Sequence, residues 1–381
     1  MTEGSVLAPG ATIGLLGGGQ LGRMTGMAAR SLGYDVHVLD PDPYCPAGAI
    51  ASRTITARFD DADAAADLAS GCDVVTLEIE QIAPPALAAV AQRAPLRPSA
   101  EAVTVVQDRL RQRHWLASHG FPLGPWREVN SADAAADAVT AMGPTVFKVP
   151  VGGYDGRGQA RASTAALGRE AFASLGRPAL LAEQFLTLTA ELSVLVARSP
   201  DQSTIVFPPA VNHHERGILD WSVFPGELPP ATIRQAMELG HDIAATLGIE
   251  GLLAIEMFLV EDGRVLVNEL APRPHNSYHH SERGCATSQF EQHVRAVCGL
   301  PLGAVTVVRP AAIANLLGDL WRDQRPPPFP AALSVPEVRL HLYGKREARP
   351  GRKMGHLSAT GDTVEMARAR VIAARHRLVQ P

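Results

Sequence analysis

A glycine-rich turn near the start of the chain restricts the fold more than any other feature. In ATIGLLGGGQLGRM an apolar run is followed by Gly17, Gly19 and Gly22 in a G-x-G-x-x-G spacing. This order predicts a buried strand, a tight turn and a helix over 21–32 whose N-terminus faces an anion. The next predicted strand, DVHVLD, ends at Asp40, about 20 residues later, where NAD-binding domains carry a ribose-binding acid. The turn predicts a Rossmann-like parallel sheet and, taken alone, favours NAD.

Length and composition exclude several classes of protein. A chain of 381 residues is expected to form two or three domains. Its net charge of -4 gives no electrostatic footprint for nucleic acid. There is no apolar run of 18 residues and no basic leader followed by an apolar segment, so we expect neither a membrane span nor a signal peptide. The four cysteines are far apart and are expected to be reduced, which favours a cytoplasmic location.

The alternation of predicted elements divides the chain into three domains. Short strands alternate with helices over residues 1–106, as in a parallel α/β domain. Residues 107–305 form a central domain, in which 107–186 predict a small mixed lobe and 187–305 a larger lobe of strands with one long helix. A proline cluster, RPPPFP, precedes a further strand pattern, and residues 306–381 are predicted to form a small C-terminal domain. The fold class is therefore α/β together with α+β, in several domains.

The stretch LLAIEMFLVEDGRVLVNEL predicts a β-hairpin that carries two facing acids. If Asp262 and Gly263 form a two-residue turn, Glu256 lies directly opposite Glu269. Cross-strand Cβ atoms are about 5 Å apart, so two carboxylates there repel each other unless something neutralises them. Since Glu256 is flanked by apolar residues, we favour a shared Mg²⁺. A solvated hairpin face with ordinary surface acids is the alternative.

The stretch FKVPVGGYDGRGQ, residues 147–159, predicts a second anion site. Its four glycines let backbone amides approach a polyphosphate, and Lys148 emerges from an apolar strand as a fixed cation. The sequence is not a Walker A motif. Because extended segments flank the loop, it is predicted to be a flap over a nucleotide, with a plain glycine-rich turn as the alternative.

Two further clusters carry groups suited to anions. In NELAPRPHNS, Arg273, His275 and Asn276 follow directly after the hairpin acids. The arginine offers a planar fork for an oxyanion, which suggests a small anionic co-substrate, although a lone histidine is more often structural. The stretch LYGKREARPGRKMGH carries a basic cluster, for which a solvated face is the alternative. The cluster consists of Lys345, Arg346, Arg349, Arg352 and Lys353.

These motifs, in this order, resemble the ATP-grasp superfamily over nearly the whole chain. Within it they are similar to the N5-carboxyaminoimidazole ribonucleotide synthetases, ATP-dependent ligases of purine biosynthesis. The resemblance implies an ATP-grasp fold with a Rossmann-like N-terminal domain, a small C-terminal domain and a homodimer. It is carried by GLLGGGQLGRM, PSAEAVTVVQDR, FKVPVGGYDGRGQ, AEQFLTLTAELSV, NELAPRPHNS, TSQFEQHVRAV and YGKREARPGRKMGH.

The resemblance implies an ATP site between the two lobes of the central domain. Magnesium would be held by Glu256 and Glu269, in agreement with the hairpin argument. The ATP site would consist of Arg109, Lys148, Gly153, Tyr154, Asp155, Gly156, Arg157, Gly158, Gln159, Glu183, Gln184, Phe185, Leu186, Glu191, His214, Asn268 and Glu269.

The same resemblance gives the first glycine turn a ligand other than NAD. The turn would hold the phosphate of 5-aminoimidazole ribonucleotide, and Asp40 becomes a strand-end or turn residue. The chain departs from the family pattern at Tyr278, where the usual HNSGH is HNSYH. The substrate site would comprise Gln20, Leu21, Glu80, Asn276, Lys345 and Arg352.

The implied reaction begins when bicarbonate attacks the γ-phosphoryl group of ATP to give carboxyphosphate. The exocyclic amine of the ribonucleotide then attacks the carboxyl carbon, or CO₂ derived from it. Either Asp155 or the departing phosphate would take the amine proton. The candidate catalytic residues are Tyr154, Asp155, Arg157, Arg273, His275 and Lys345.

Four alternative functions are considered. A formate-dependent glycinamide ribonucleotide transformylase acts on an ammonium-bearing substrate, which favours an acid where this chain has Gln20. Enzymes similar to biotin carboxylase share ATP and bicarbonate, but they act on a carrier protein and are usually longer. An NAD-dependent dehydrogenase explains only the first 40 residues. A non-catalytic ATP-binding module is opposed by the retained Lys148, Glu256, Glu269 and Lys345.

Overall fold

The N-terminal domain is built on a four-stranded parallel sheet with the strand order β3-β2-β1-β4. The structure, a computed structural model, describes residues 6–153 and 156–379. The central strand β1 pairs in parallel with β2 and β4, because helical crossovers return the chain in the same direction. The elements are β1 (Thr12–Leu16), α1 (Gln20–Ser31), β2 (Asp35–Asp40), β3 (Arg53–Thr56), α2 (Ala62–Ser70), β4 (Val74–Leu77), α3 (Pro84–Ala91) and α4 (Ala100–Gln107). The predicted parallel sheet is confirmed.

A helix from much later in the chain completes the core of this domain. Helix α10 (Gln289–Cys298) places Val294 and Val297 in one cluster with the apolar residues of β1 and β2. His293 Nε2 of the same helix lies 3.0 Å from Thr76 Oγ1 on β4. The sequence analysis predicted one long helix for the large lobe and missed α10. The N-terminal domain therefore shares its core with the central domain.

The small lobe is a four-stranded antiparallel sheet, in the order β5-β8-β6-β7, covered by two helices. The two helices α6 and α7 pack on each other and on the apolar face of the sheet. The strand that carries Lys148 was predicted from the sequence, but neither of these helices was. The elements are α5 (Arg109–Ser118), β5 (Trp126–Val129), α6 (Ala132–Met142), β6 (Thr145–Lys148), β7 (Gln159–Ala162), α7 (Ala165–Leu175) and β8 (Leu180–Gln184).

The large lobe is an eight-stranded antiparallel sheet, in the order β13-β12-β9-β10-β11-β14-β16-β15. Helix α8 packs on β9 and β12, and α12 packs on the last three strands. The elements are β9 (Leu188–Arg198), β10 (Thr204–Glu215), β11 (Ile218–Phe224), α8 (Pro230–Thr246), β12 (Gly251–Val260), β13 (Val265–Ala271), α9 (Ser281–Gly284), β14 (Ala311–Leu317), α11 (Phe329–Leu333), β15 (Val338–Leu342), β16 (Lys353–Thr360) and α12 (Val364–His376).

The C-terminal segment extends the large-lobe sheet. Strand β14 pairs with β11 on one side and with β16 on the other, and β15 forms the edge. The expected C-terminal unit therefore has its own helices but no sheet of its own. This continuity holds the basic cluster at a fixed position relative to the strands of the central domain.

Two expectations from composition concern membrane-spanning helices and cysteine thiols. No helix in the described part of the chain is long and apolar enough to cross a membrane. All four cysteines are free thiols, and Cys45, Cys285 and Cys298 are buried. Burial raises the pKa of Cys45 to about 11, so this thiol is held in its protonated form. Three of the four cysteines are therefore buried thiols, and Cys72 is partly exposed.

Candidate active site

Strands β12 and β13 form the predicted hairpin, with Glu256 directly opposite Glu269. The predicted two-residue turn is wrong. The N–H of Val260 donates to the carbonyl of Arg264 at 3.1 Å, and Gly263 adopts a φ of 82°. The loop therefore has three residues, which shifts the pairing near the turn by one position.

A bulge at Asn268 restores the predicted pairing. Without it, the three-residue loop would place Glu256 opposite Asn268, but the register shifts between Glu256 and the next residue of β12. Helix α5 holds the bulged edge strand: Arg113 Nη2 donates to the carbonyl of Asn268 at 2.5 Å, and Gln112 Oε1 accepts the N–H of Leu270 at 3.1 Å. The two carboxylates face each other because two departures from a regular hairpin compensate.

The two carboxylates are only partly neutralised by their neighbours. Glu269 Oε1 lies 3.3 Å from Arg109 Nη2, while Glu256 Oε1 lies 3.6 Å from His275 Nε2. Asn268 Nδ2 donates to Glu256 Oε2 at 3.4 Å, and the buried Asn268 Oδ1 has no hydrogen-bond partner among the described residues. Three oxygen-bearing side chains thus converge, and this donor set fits Mg²⁺.

The charges around Glu256 agree with a cation site. Burial raises the pKa of Glu256 above its ordinary value, and the negative charges of Glu269 and Glu191 add to the increase, whereas His214 opposes it. Burial alone would lower the pKa of His214, but its hydrogen bond to Glu191 and the charge of Glu256 raise it. A cation between the two carboxylates would stabilise the ionised form of Glu256.

Glu183 connects the small lobe to the hairpin. Its two carboxylate oxygens pair with Lys148 on β6, at 2.6 Å, and with Arg113 on α5. All three side chains are largely buried, and Glu183 is only 14% exposed. Burial alone would raise the pKa of Glu183, but Arg113 and Lys148 lower it to about 2. Since Arg113 also binds the bulge, this ion-pair chain fixes Lys148 relative to the hairpin acids.

The predicted flap reaches the large lobe. Arg109 Nη2 donates to the carbonyl of Gly153 at 2.6 Å, at the start of the loop. Gly156 packs against Gly217, in the turn between β10 and β11: a Cβ on Gly217 would lie 2.8 Å from the Gly156 Cα. Both glycines have positive φ angles, of 76° and 78°. The loop therefore bridges the two lobes, as a flap requires.

Several predicted site residues lie in or beside this flap. Tyr154 and Asp155 lie outside the described residues. Arg157 is placed within the loop, the carbonyl of Gly158 accepts the N–H of Val149 at 2.9 Å, and Gln159 pairs with Lys148 across β6 and β7.

The segment after β8 lies at the junction of the two lobes. The backbone N–H of Gln184 donates to the carbonyl of Pro125 at 2.9 Å, and its side-chain Nε2 donates to the carbonyl of Met142 at 2.8 Å. Phe185 is 49% exposed, with the guanidinium of Arg161 over its ring at 4.6 Å. Leu186 lies against Gly124. This segment connects directly to β9, which carries Glu191.

The first glycine turn holds a carboxylate of the chain itself. Glu78, just after β4, accepts the N–H groups of Gly19 at 2.7 Å and of Gly22 at 2.9 Å. A Cβ on Gly17 would lie 2.6 Å from the Glu78 Cγ, and one on Gly19 would lie 2.5 Å from its Oε1. The buried Asp40 accepts the N–H of Gly18 at 2.7 Å. The glycine spacing is thus explained by Glu78, and Asp40 supports the turn, so neither requires NAD.

The loop after β13 faces the N-terminal domain. Arg273 Nε lies 2.7 Å from Glu80 Oε1, so the predicted oxyanion fork and the predicted substrate acid are in contact. Asn276 Oδ1 accepts from Asn315 Nδ2 at 2.6 Å, while the Nδ2 of Asn276 has no partner among the described residues. The structure therefore brings Glu80 and Arg273 together, whereas Asn276 is held by Asn315 of β14.

The C-terminal basic cluster folds back toward the N-terminal domain. Lys345 Nζ donates to the carbonyl of Lys353 at 2.8 Å, and Arg352 Nη1 donates to the carbonyl of Glu347 at 2.8 Å. The Arg346 guanidinium lies 3.3 Å from the centre of the Tyr44 ring. In the same region Tyr343 packs with Leu21 of α1. The cluster is therefore adjacent to the first glycine turn, which a purely solvated face would not explain.

Tyr278, which replaces the usual glycine, is a core residue. Its side chain is fully buried, and its hydroxyl donates to the carbonyls of Ser193 at 2.8 Å and Pro208 at 2.9 Å. Its ring packs against Phe207 and Phe224. The departure from the family pattern therefore fills a space behind the site and leaves Asn276 in place.

A second group of metal-binding residue types lies at the other end of the sheet. Glu282, His341 and His356 place one potential ligand atom each within 4.8 Å of one another. However, the rings of His341 and His356 stack in parallel, at 4.4 Å and 7°. Because nitrogen lone pairs lie in the ring planes, two parallel rings cannot direct them at one ion. The hairpin acids fit a metal better.

Glu78 and Arg113 were not predicted, and Lys353 was predicted only as a member of the basic cluster. Glu78 could have been found because it follows β4, whose carboxyl end lies beside that of β1 in a parallel sheet. Arg113 is four residues after Arg109, so both lie on one face of α5. Burial raises the pKa of Glu256 and lowers that of His275, and the charge of Lys353 opposes the first shift and adds to the second. No local pattern distinguishes Lys353 from the rest of its basic cluster.

Three family models match the chain. They are a ribonucleotide synthetase preATP-grasp domain over residues 10–107, an ATP-grasp domain over 114–290 and a phosphoribosylaminoimidazole carboxylase C-terminal domain over 311–370. The N5-carboxyaminoimidazole ribonucleotide synthases of Brucella melitensis and Bacillus subtilis are 39% and 40% identical to it, over 92% and 93% of this chain and 97% and 92% of theirs. The chain belongs to the N5-carboxyaminoimidazole ribonucleotide synthase family.

Solved structures of this synthase family have the same fold. One, crystallised as its ADP complex, superimposes with a TM-score of 0.92 at 36% identity, over 100% of both chains. The Aspergillus clavatus synthase, crystallised with ADP and 5-aminoimidazole ribonucleotide, gives a TM-score of 0.89 at 32% identity, over 97% of this chain and 99% of that one. Family membership confirms the predicted ATP-grasp fold and the classification as a ligase.

The Glu183 ion pairs are expected to stabilise the fold in a pH-dependent way. The ionised carboxylate contributes roughly 3 kcal/mol above the unfolded-state pKa of about 4.5, and this contribution is lost as the pH falls toward about 2. Urea unfolding of Glu183→Gln should show that deficit at pH 7 and a smaller one below about pH 4.5. Asp133→Asn, which removes an exposed ion pair with Arg169, should be nearly silent. An equal deficit at both pH values would contradict this account.

Proposed function

We propose that the chain carboxylates the exocyclic amine of 5-aminoimidazole ribonucleotide, using ATP and bicarbonate and releasing ADP and phosphate. The observation that carries the proposal is that both cations assigned to the phosphates are linked to the hairpin, one directly and one through other side chains. Arg109 touches both the flap and Glu269, while Lys148 is joined to the hairpin through Glu183 and Arg113. This arrangement suits phosphoryl transfer, which depends on positioning and on neutralising charge.

We assign ATP to the space between the two lobes. Lys148 and Arg109 are the cations for its phosphates, and the flap covers them. The assigned residues are Arg109, Lys148, Gly153–Gln159, Glu183–Leu186, Glu191, His214, Asn268 and Glu269. The support is that α5, β6, β8, β9, β10 and the hairpin, which carry these residues together with the flap, are adjacent in the fold.

We assign Mg²⁺ to Glu256 and Glu269. The raised pKa of Glu256 and the unpartnered oxygen of Asn268 support a cation here. When bound, the ion supplies charge neutralisation for the phosphate oxygens. Glu256 and Glu269 hold it, and the bulge at Asn268 keeps both carboxylates on one side of the hairpin.

Bicarbonate is assigned to the neighbourhood of Arg273. A bicarbonate oxygen attacks the γ-phosphorus, the bond to the β,γ-bridging oxygen breaks, and ADP leaves with carboxyphosphate formed. The guanidinium of Arg273 has more N–H donors than Glu80 accepts, so it can bind an oxyanion while it stays paired. Because carboxyphosphate is lost to water, the contact between Gly156 and Gly217 matters for keeping the site closed.

The ribonucleotide is assigned to the N-terminal domain. The N–H groups of Gln20 and Leu21 belong to the first turn of α1, which has no intrahelical acceptors, and the described part of the chain shows no other partner for them. They are therefore available to the substrate phosphate. We also assign to the substrate Lys345 and Arg352 from the C-terminal cluster, together with Glu80 and Asn276.

In the second step the amine nitrogen attacks the carboxyl carbon. The bond from that carbon to the phosphate oxygen breaks, and phosphate leaves. The proton lost from nitrogen goes to Asp155 or to the departing phosphate. Tyr154, Arg157, Arg273, His275 and Lys345 are the other proposed catalytic residues. Two other predictions are not tested by the site: the domain boundaries after residues 106 and 305, and the homodimer. Analytical ultracentrifugation checks the homodimer, for which a mass of two chains is expected.

The activity is tested by the stoichiometry of the complete reaction. Phosphate release from ATP should require bicarbonate and rise further with 5-aminoimidazole ribonucleotide, with one carboxylated product formed for each ADP. A parallel incubation with formate and glycinamide ribonucleotide serves as the control. Activity with formate in place of bicarbonate would contradict the proposal.

The metal assignment predicts a specific effect of Glu256→Gln and Glu269→Gln. Turnover should fall about 100-fold, because a metal clamp carries several kcal/mol of transition-state stabilisation. Without Mg²⁺, the midpoint temperature of thermal unfolding should be unchanged or slightly raised, because one of the two repelling charges is gone. Adding Mg²⁺ and ADP should stabilise the parent chain but not the variants.

Glu261→Gln is the matched control for the metal variants. This acid lies on the same hairpin, exposed at its tip, and its loss should change neither measurement. Near-parental turnover in either Glu256→Gln or Glu269→Gln would overturn the metal assignment.

The substrate assignment predicts that Lys345→Ala and Arg352→Ala weaken the ribonucleotide-dependent reaction at least about tenfold. The loss of one charge-assisted hydrogen bond to a phosphate weakens binding by about that factor. The KM for ATP should change little. Arg349→Ala is the control, because Arg349 is 66% exposed and pairs with Glu347 on the surface. Equal, small effects of all three substitutions would return the cluster to an ordinary solvated face.

A further inference from the structure

A row of buried hydrogen bonds lies behind the imidazole of His275. Its Nδ1 lies 2.8 Å from the hydroxyl of Ser277. Ser193 Oγ donates to Ser277 Oγ at 2.9 Å, and Asn212 Nδ2 donates to Ser193 Oγ at 3.1 Å. Ser193 and Ser277 are fully buried and Asn212 is 6% exposed. The row therefore connects His275 to β9 and β10 out of contact with solvent.

The donors in this row impose a direction. An amide nitrogen can only donate, so Ser193 accepts from Asn212 and passes its own hydrogen to Ser277. Ser277 is then left with its own hydrogen to donate to the Nδ1 of His275. The Ser222 hydroxyl has one hydrogen and lies 2.8 Å from Asn212 Oδ1 and 3.0 Å from the carbonyl oxygen of Ser277. Ser222 therefore accepts either orientation of the Asn212 amide, and the choice depends on the other end of the row.

A backbone group independently favours one direction of the row. The N–H of Ser277 donates to His275 Nδ1 at 3.4 Å, since His275 is the N-cap of the short 3₁₀ helix Asn276–Tyr278. A backbone N–H cannot accept, so a proton on Nδ1 would face another N–H. In the reversed row, with the Asn212 amide turned over, Nδ1 would have to carry that proton. The backbone contact therefore favours an unprotonated Nδ1.

A neutral imidazole has one N–H proton. If that proton is not on Nδ1, it is on Nε2. That nitrogen lies 3.6 Å from Glu256 Oε1, and the side chain of His275 is 17% exposed. Nε2 therefore faces the hairpin acids and the space beside them. An N–H there adds a donor for an anionic oxygen without adding a further charge next to Arg273.

We propose that Asn212 and Ser193 are positioning residues that keep His275 as a fixed Nε2–H donor to an oxyanion of the reaction, so that His275 is not the base. The identity of the oxyanion, on bicarbonate or the transferring phosphoryl group, rests on the proposed function. The position of the proton does not rest on it. The buried row thus explains why a polar cluster crosses the core of the large sheet.

The position of the proton can be measured directly. In the full chain labelled with ¹⁵N-histidine, long-range ¹H–¹⁵N spectra distinguish the two neutral tautomers, and loss of a peak set in His275→Gln assigns His275. We expect the Nε2–H pattern in the absence of any substrate. An Nδ1–H pattern would overturn the proposal, whatever the outcome of the carboxylation assay.

Two substitutions test the role of the row. Asn212→Asp replaces the donor by an acceptor, so the row should reverse and move proton density from Nε2 to Nδ1, with kcat reduced about tenfold or more. Ser199→Ala is the matched control, since this buried hydroxyl has no partner among the described residues, and it should change neither spectrum nor rate. An unchanged tautomer with an unchanged rate in Asn212→Asp would overturn the positioning role.

A pair of variants at His275 tests the donor itself. Glutamine places an amide N–H close to the position of Nε2, whereas asparagine places one close to that of Nδ1. We expect His275→Gln to keep about tenfold more of kcat than His275→Asn, with similar KM for ATP. The reverse order would contradict an Nε2–H donor. The spectra of the parent chain test the tautomer without any variant. The proposal can therefore still be contradicted if one of the variants fails to fold.

Discussion

Repulsion between Glu256 and Glu269 is the constraint around which the active site is arranged. Two acids on one face of a hairpin raise the free energy of the folded chain unless a cation offsets them. The bulge at Asn268 puts them there, and Arg113 and Gln112 of α5 hold that bulge by its backbone. Arg109 compensates only Glu269. The remaining negative charge is therefore built into the fold, and a metal bound with ATP would relieve it.

At the first glycine turn, too, carboxylates of the chain itself determine the local structure. There the helix N-terminus and its glycines are already occupied by Glu78, and Asp40 supports the other side of the turn. A turn that resembles a dinucleotide site is thereby a rigid support, and the N–H groups of Gln20 and Leu21 have no partner in the described part of the chain. The pair Glu80 and Arg273 then ties this domain to the loop that follows the hairpin. The N-terminal domain and the loop after the hairpin are held together by this ion pair.

Local sequence patterns predicted the parallel sheet, the flap, Lys148 and the hairpin acids, because periodicity and glycine spacing are local properties. The pairing of Glu256 with Glu269 was right although the predicted turn was wrong, since the bulge compensates for the longer loop. Glu78, the docking of α10 and the buried row behind His275 depend on contacts between residues far apart in the chain. No window of sequence contains both partners of such contacts, which is why they were not predicted. The site assignments themselves remain predictions.

The central claim is that bicarbonate attacks the γ-phosphorus within this charge arrangement. It is tested most directly with ¹⁸O-labelled bicarbonate and unlabelled water, with the released phosphate analysed by mass. The attacking oxygen stays on phosphorus when the amine displaces phosphate from carbon, so the account predicts one ¹⁸O in each phosphate formed. Phosphate without ¹⁸O, released while the ribonucleotide is carboxylated, would show that water had attacked ATP and would contradict the account.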